Sequence, residues 1–202
     1  MKKFLFIRHG QTDWSAELIK LGPVDYPLNE RGRAEAMKAA SYAKSVIPTG
    51  TKPVIVASPL LRARQTAEII SEYCAVPINF EHNLSERYFG DARTGSIDAE
   101  SDEVFAGRIR VAFNLIQTLT EIPDQYVIIV SHSLVFKQIT EMLSAIKEPI
   151  TTGGCVELGF EKAACKELVG ASALTDSKDT DSSTHQARLS QKKVVIGADR
   201  GR

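Results

Sequence analysis

The sequence predicts an α/β fold, a three-layer α/β/α sandwich with a mostly parallel central sheet. Two observations carry this prediction. Uninterrupted apolar runs lie at residues 4–7, 54–57 and 126–130, and the first is bounded by charged residues, as strands buried on both faces are. Segments with helical spacing of apolar residues alternate with these runs along the chain, and such alternation is typical of parallel sheets.

The first two long helices are predicted from their start signals. Asn29 is an N-cap candidate in front of a helix over residues 30–46. Ser58 followed by Pro59 is expected to open the next helix, which reaches Cys74, because a capping residue before proline is a common helix start.

Spacing and breakers place the remaining elements. Val104 and Val111 lie among the apolar residues of a further helix that Pro123 stops. The predicted ranges are 104–119 and 134–143 for helices, and 78–80 and 156–160 for short strands. A long polar connection covers residues 82–99. Connections of this length more often contribute to function than serve only as linkers.

Length and charge limit the domain count and the partners. The 202 residues suit one domain over residues 1–165 and a polar tail over 166–202 that we expect to be disordered or loosely attached. Lys+Arg and Asp+Glu are equal at 25 each, so the chain as a whole has no electrostatic footprint for nucleic acid or an anionic membrane. We expect neither as a partner, and the oligomeric state stays open.

The cysteines and the N-terminal segment favour a cytoplasmic protein. Cys74, Cys155 and Cys165 are odd in number and widely spaced, which argues against a disulfide framework and a zinc site and for a reducing compartment. The apolar run before Arg8 has only the four residues 4–7, too few for a signal peptide. No segment approaches the roughly 18 consecutive apolar residues of a membrane span.

Candidate site residues follow three of the predicted strands. Arg8 and His9 end the first run, where a guanidinium could bind phosphate and an imidazole could act as a nucleophile; the plainer alternative is a strand that happens to end in polar residues. Gly10 permits a sharp turn there. His132 follows the run at 126–130, and Arg62 comes soon after the second run. Because the carboxyl ends of parallel strands meet at one edge of a sheet, these residues are expected to share a pocket.

Together with their neighbouring residues, these positions resemble the histidine phosphatase superfamily, whose best-known branch contains the phosphoglycerate mutases. The fold implied is therefore phosphoglycerate mutase-like. The blocks that carry the resemblance are Arg8-His9-Gly10-Gln11-Thr12-Asp13-Trp14, Gly22 to Leu28, Glu30-Arg31-Gly32-Arg33-Ala34, Ser58-Pro59-Leu60-Leu61-Arg62-Ala63-Arg64-Gln65-Thr66-Ala67, Leu84-Ser85-Glu86 with Phe89-Gly90, and Val130-Ser131-His132.

The resemblance implies phosphoryl transfer through a phosphohistidine. His9 would attack phosphorus as a neutral imidazole, Arg8 and Arg62 would clamp the phosphate oxygens, and His132 would add a donor. Glu86 would protonate the leaving oxygen and later accept a proton from water. Neither a metal nor another cofactor is implied.

The chain departs from the family pattern at three places. Ser15 stands where many relatives have an asparagine that contacts phosphate, so it is a shorter candidate donor. Ser133 replaces the glycine that usually follows the second histidine and puts a Cβ near the phosphate. The stretch Asp91 to Gly95 lacks the usual tryptophan.

Other polar and aromatic residues have ordinary interpretations. Arg64 is expected to face solvent or a carboxylate, and His82 and His185 to be surface histidines. The aromatic residues Trp14, Tyr88 and Phe89 are expected to pack rather than to contact substrate.

We therefore predict a hydrolase for small phosphomonoesters, because the connection between Glu86 and Val104 is shorter than the site insertions of typical mutases. Candidate substrates are a sugar or carboxylate phosphate, a nucleotide, or a phosphohistidine on a protein. A cofactor-dependent phosphoglycerate mutase and a catalytically weak protein that binds phosphorylated ligands are the alternatives.

Overall fold

The structure is a computed structural model that describes residues 2–16, 25–90, 99–145 and 148–160. The side chains of Trp14 and Ala16 lie outside this description. The strands are β1 (Lys3–Arg8), β2 (Lys52–Ala57), β3 (Ile78–Phe80), β4 (Gln125–Ser131) and β5 (Cys155–Gly159). The helices are α1 (Asp13–Ala16), α2 (Glu30–Val46), α3 (Leu61–Cys74), α4 (Asp102–Glu121) and α5 (Ser133–Met142), with a 3-10 turn at His82–Leu84.

The described strands form one five-stranded sheet in the order β3-β2-β4-β1-β5. β4 pairs in parallel with β1 and β2, and β2 pairs in parallel with β3, whereas β5 runs antiparallel to β1 at the edge. The predicted, mostly parallel sheet is therefore confirmed.

Each face of the sheet is covered by a pair of helices, so the three-layer prediction is confirmed as well. Alternate strand residues point to opposite faces. On one face Phe6 and Ile129 pack with α4 and α5, and on the other Ile7 and Ile128 pack with α2 and α3. The helix after β2 and the helix after β4 thus cover different faces, which leaves a crevice at the carboxyl ends of these adjacent strands.

Local signals located two of the helices well. The Asn29 side chain accepts a hydrogen bond from the Gly32 amide at 2.8 Å, and α2 has the predicted bounds. α4 begins two residues before the predicted start, after Ser101 as its cap. Val104 and Val111 are 61% and 57% exposed, so including them in the apolar face was wrong.

The predicted start of α3 was also wrong. The helix begins at Leu61, and Ser58 remains aligned with the sheet, where its amide donates to the Val130 carbonyl at 2.9 Å. Its hydroxyl lies 2.8 Å from His132 Nε2. The carboxylate of Asp25, distant in sequence, accepts from the Leu61 amide instead. Tertiary partners thus replaced the local cap.

Some predictions concern residues outside the described ranges. These are the tail over 166–202, Cys165, His185 and the stretch Asp91 to Gly95. The division at residue 165 accordingly stays a prediction.

The compartment also stays a prediction. Cys74 and Cys155 are free thiols. Among the described helices, none combines the length and the apolar character that crossing a bilayer requires.

Two glycines allow the turn after β1 to lie directly against α2. A Cβ on Gly10 would lie 2.2 Å from the carbonyl oxygen of Gly32, and a Cβ on Gly32 would lie 2.0 Å from the carbonyl oxygen of Gln11. Both obstructing atoms belong to the backbone, so they cannot rotate aside. The turn that follows β1 is therefore fixed against the first turn of α2 by close backbone contact.

Replacing Gly32 tests this contact against helix propensity. Propensity alone predicts that Gly32→Ala stabilises α2 by about 1 kcal/mol. We expect a loss of about 2 kcal/mol or more instead, because the added methyl overlaps backbone atoms. Gly107→Ala is the matched control, since Gly107 lies in α4 with no atom within 4 Å of the added Cβ, and it should gain about 0.5–1 kcal/mol. Urea unfolding measures both, and a gain in both variants would contradict the steric argument.

Candidate active site

Three strand ends meet at one edge of the sheet. In the register of β1 and β4, Arg8 pairs with Ser131, so His9 and His132 leave neighbouring strands at the same level. The His9 amide continues the ladder by donating to the Ser131 carbonyl at 3.0 Å. The two imidazole rings lie 5.1 Å apart between centroids, and Arg62 from α3 reaches the same place. The predicted convergence of these residues is confirmed.

The hydrogen bonds of His9 assign its tautomer. Nδ1 lies 2.8 Å from the Gly10 carbonyl oxygen, which can only accept, so Nδ1 carries the proton. The Arg62 Nε–H donates to Nε2 at 3.3 Å, so Nε2 carries a lone pair. Burial, and then Arg62 and Arg8, lower the pKa of His9 well below its ordinary value. His9 is thus a neutral imidazole with Nε2 turned toward the pocket.

His132 is fully buried beside His9. Its Nε2 lies 2.8 Å from the Ser58 hydroxyl oxygen. Burial lowers the pKa of His132 well below its ordinary value, with further lowering by Arg62 and His9. Among the described residues, no group hydrogen-bonds its Nδ1.

Two guanidinium groups supply positive charge to the pocket. Arg62 is 1% exposed, and burial lowers its pKa to about 10, so it remains a cation at neutral pH. Arg8 donates from Nη1 to the Ile150 carbonyl at 2.7 Å, while its buried Nε has no partner within the described chain. Buried polar groups are nearly always paired, so the unpartnered Arg8 Nε beside a second buried cation favours an anion with several acceptor oxygens.

Glu86 lies across the pocket in the connection after the 3-10 turn. Its carboxylate accepts from the Arg87 amide at 3.0 Å and from the Leu134 amide in the first turn of α5. Burial raises the pKa of Glu86, although these donors and the nearby Arg62 and Arg8 oppose the shift. A raised pKa keeps more of this carboxyl protonated near neutral pH, which suits a proton donor.

Ser133 and Ser15 differ in how close they come to the pocket. Ser133 is the first residue of α5, and its hydroxyl donates to Glu86 Oε2 at 3.5 Å, a weak contact. The Ser15 hydroxyl accepts from the Thr12 amide at 2.8 Å and donates to the Thr12 carbonyl at 2.9 Å. Its proton is thus used within its own turn, and a role as phosphate donor stays a prediction that requires the hydroxyl to turn away from Thr12.

Arg64 and His82 lie at the surface, as expected, whereas Phe89, which was expected to pack, is exposed. Arg64 is exposed, with its guanidinium 5.1 Å from the Phe80 ring centroid, and His82 is exposed. Tyr88 is half-buried and Phe89 is exposed at the surface.

Sequence reasoning missed three residues that support the site. Ser58 contacts His132, and Thr66 accepts from the Gly10 amide at 3.1 Å while donating to the Arg62 carbonyl. Both lie in the block that carries Arg62, so the resemblance already pointed to them. Glu35 accepts from the Gln11 amide at 2.9 Å, and its signal is a charge at the helical spacing of the buried alanines of α2.

Residues 4–100 match the model of the histidine phosphatase superfamily (branch 1). Over these residues, just under half of its length, the chain is similar to that superfamily. The matched range includes His9, Arg62 and Glu86, and the resemblance seen in the sequence is confirmed.

Curated relatives match about half of the chain. Uncharacterized phosphatase PhoE of Bacillus subtilis (strain 168) is 40% identical over 92 residues, 46% of each chain. Probable phosphoglycerate mutase GpmB of Escherichia coli O1:K1 / APEC is 38% identical over 103 residues, 51% of this chain and 46% of the relative. The chain therefore spans about half the length of the curated relatives it matches.

Solved structures of histidine phosphatases share the fold. A mycobacterial glucosyl-3-phosphoglycerate phosphatase superposes with a TM-score of 0.64 at 24% identity, over 79% of this chain and 90% of its own. A putative alpha-ribazole-5'-P phosphatase of Escherichia coli superposes with a TM-score of 0.64 at 20% identity, over 82% and 95%. These likenesses establish the predicted phosphoglycerate mutase-like fold.

The buried histidines predict a loss of stability in mild acid. Because the folded pKa values of His9 and His132 lie well below the ordinary 6.5, the unfolded chain takes up protons that the folded chain does not as the pH falls below 6.5. Each histidine can then lower the free energy of unfolding by up to about 1.4 kcal/mol per pH unit. Glu86 acts in the opposite direction, since its raised pKa lets the folded chain bind a proton first.

Urea unfolding between pH 7.5 and 5.0 measures this dependence. We expect His132→Asn to lose stability less steeply with acid than the wild type. His82→Asn is the control at an exposed histidine and should keep the wild-type slope. An unchanged slope in His132→Asn would contradict the assignment.

Proposed function

We propose that the protein is a phosphomonoester hydrolase that works through a phosphohistidine intermediate on His9. The observation that carries the proposal is the neutral His9 tautomer, which aims the Nε2 lone pair at a pocket holding the buried guanidiniums of Arg8 and Arg62. A phosphoryl group is an anion that several donors can surround, and its phosphorus is the electrophile that such a nitrogen attacks.

In the first step, Nε2 of His9 forms a bond to phosphorus as the bond to the leaving oxygen breaks. The protonated Glu86 carboxyl gives its proton to that oxygen, so an alcohol leaves. The 3.3 Å contact from Arg62 Nε to His9 Nε2 is long, and the guanidinium can pass this hydrogen bond to a phosphate oxygen as the ester binds. Arg8 and the Nδ1 side of His132 would hold the remaining oxygens.

In the second step, water attacks the phosphohistidine. The ionised Glu86 takes a proton from the water, an oxygen–phosphorus bond forms, and the nitrogen–phosphorus bond breaks. Inorganic phosphate leaves, and His9 and Glu86 return to their starting protonation states. A mycobacterial glucosyl-3-phosphoglycerate phosphatase of the same fold has been solved with inorganic phosphate, which supports a phosphate-binding pocket in this fold.

Phosphoglycerate mutase is the second candidate function, and the 38% identity to a probable phosphoglycerate mutase favours it. A mutase must retain a bisphosphate while it turns around. The connection from Glu86 to α4 is short for that purpose, so we favour hydrolysis of a small phosphomonoester in the cytoplasm.

Hydrolysis of 4-nitrophenyl phosphate tests the proposal. We expect turnover by the wild type and a loss of about a thousandfold or more in His9→Ala. Glu86→Gln should lose about a hundredfold on phenyl phosphate, whose leaving oxygen needs the proton, and much less on 4-nitrophenyl phosphate. Arg64→Ala is the matched arginine control on α3 and should retain activity. Binding of phosphate without turnover by the wild type would instead indicate a binding protein, and faster conversion of 3-phosphoglycerate than hydrolysis would favour the mutase.

The trapped intermediate tests the nucleophile directly. Rapid denaturation during turnover should leave a protein-bound phosphate that acid removes and base does not, because a phosphoramidate bond is labile in acid. A label that survives acid, as on serine, would exclude His9.

The pH profile of kcat/KM tests the proton donor. His9 must be neutral, so activity should fall only below its lowered pKa; Glu86 must be protonated, so activity should decline as the pH rises through its raised pKa. The maximum is therefore expected on the acid side, after correction for the second ionisation of the ester near about 6. In Glu86→Gln the alkaline decline should vanish, and its persistence would assign that decline to another group.

A further inference from the structure

We propose that Arg108 is a positioning residue that fixes where the Glu86 carboxyl lies relative to His9. The inference rests on the proposed function, in which Glu86 is the proton donor. Arg108 lies on α4, which packs against the sheet face opposite the helix that carries Arg62.

Arg108 uses all five of its N–H bonds. Nη1 donates to the carbonyls of Asn83 at 2.8 Å and Ser85 at 2.7 Å, and Nη2 donates to the carbonyl of Glu86 at 3.2 Å. The other two bonds, from Nε and Nη2, reach the two carboxylate oxygens of Glu100 at 2.6 and 2.9 Å. A planar guanidinium has five donors in this fixed arrangement, and a lysine does not.

The segment that carries Glu86 needs these donors. After the 3-10 turn ends at Leu84, residues 85–90 belong to no helix or strand, so their carbonyls have no ladder to join. Leu84 is buried, and its carbonyl accepts from the Ser131 hydroxyl at 2.7 Å. Carbonyls in such a partly buried segment are costly to leave unpaired. Arg108 satisfies those of Ser85 and Glu86, together with that of Asn83 in the 3-10 turn.

Glu100, which lies just before α4, also hydrogen-bonds to the segment that carries Glu86. Its amide donates to the Tyr88 carbonyl at 2.9 Å, and its carbonyl accepts from Arg87 Nη2 at 3.0 Å. The side chains of Arg108 and Glu100 are only 19% and 11% exposed, so their ion pair is shielded from water. Arg108 thus hydrogen-bonds to residues 83–86 on one side and to Glu100 on the other. These bonds hold the backbone that carries Glu86 in place without regular secondary structure.

A purely structural ion pair and a positioning residue predict different kinetics. A fault in stability or in phosphate binding lowers kcat/KM for every ester alike. A misplaced proton donor slows esters whose leaving group needs the proton and spares those that leave readily as anions. Phenyl phosphate and 4-nitrophenyl phosphate have similar shapes and differ in this property.

The experiment measures kcat/KM for both esters in the wild type, Arg108→Lys and Arg108→Gln. We expect a loss of about tenfold or more on phenyl phosphate and of less than about threefold on 4-nitrophenyl phosphate. In the Glu86→Gln background, Arg108→Lys should cause no further selective loss. Arg110→Ala, at an exposed position of α4, is the matched control and should leave both rates unchanged.

The outcomes distinguish a failure of the positioning role of Arg108 from a failure of the proposed hydrolase activity. Equal loss on both esters, or no loss, would overturn the positioning role while the proposed hydrolase stands. If the wild type hydrolysed neither ester, the proposed function itself would fail, and the inference with it. Glu100→Gln, which removes only the charge that holds Arg108, gives a second reading should the Arg108 variants not fold, and it should show the same selectivity in weaker form.

Discussion

The pairing of β1 with β4 is the constraint on which the site depends. Because Arg8 stands opposite Ser131, the histidines that follow these residues lie side by side. β2, whose Ala57 pairs with Val130, places Ser58 beside Ser131. A slip of one residue would turn one imidazole to the other side of the sheet. The register is held by buried side chains on both faces, so the hydrophobic core itself specifies the distance between His9 and His132.

Burial at this edge also sets the protonation states. The same desolvation lowers the pKa of His9 and raises that of Glu86, so a free nitrogen base and a carboxylic acid can coexist. Arg62 and Arg8 remain cations despite burial, and each disfavours protonation of His9. Such a pocket is electrostatically unbalanced by itself, and an anion with several oxygens is the ligand that would relieve the repulsion between its two guanidiniums.

Local sequence predicted those features whose causes are local. Asn29 caps α2 through a contact three residues away, and the buried runs mark the strands because apolar composition alone buries them. The predicted start of α3 was wrong because the helix is capped by Asp25, 36 residues earlier in the chain, while the Ser58 hydroxyl hydrogen-bonds to His132. The anion pocket could be foreseen from motifs at strand ends. Arg108 could not, since an arginine on an amphipathic helix is usually solvated and only tertiary contacts distinguish this one.

One departure from the family pattern, Ser133, lies beside the carboxyl group of Glu86. Ser133 stands where glycine is usual, and its hydroxyl points to Glu86 rather than to the nitrogens of His9 or His132. Arg108 contacts the Glu86 backbone carbonyl and the Glu100 carboxylate. The contacts around His9 come from Gly10 and Arg62, both within the blocks shared with the family. The departure at Ser133 therefore lies beside the carboxyl proposed to protonate the leaving oxygen, while His9, Arg8 and Arg62, proposed to attack and hold phosphorus, lie within the blocks that resemble the family.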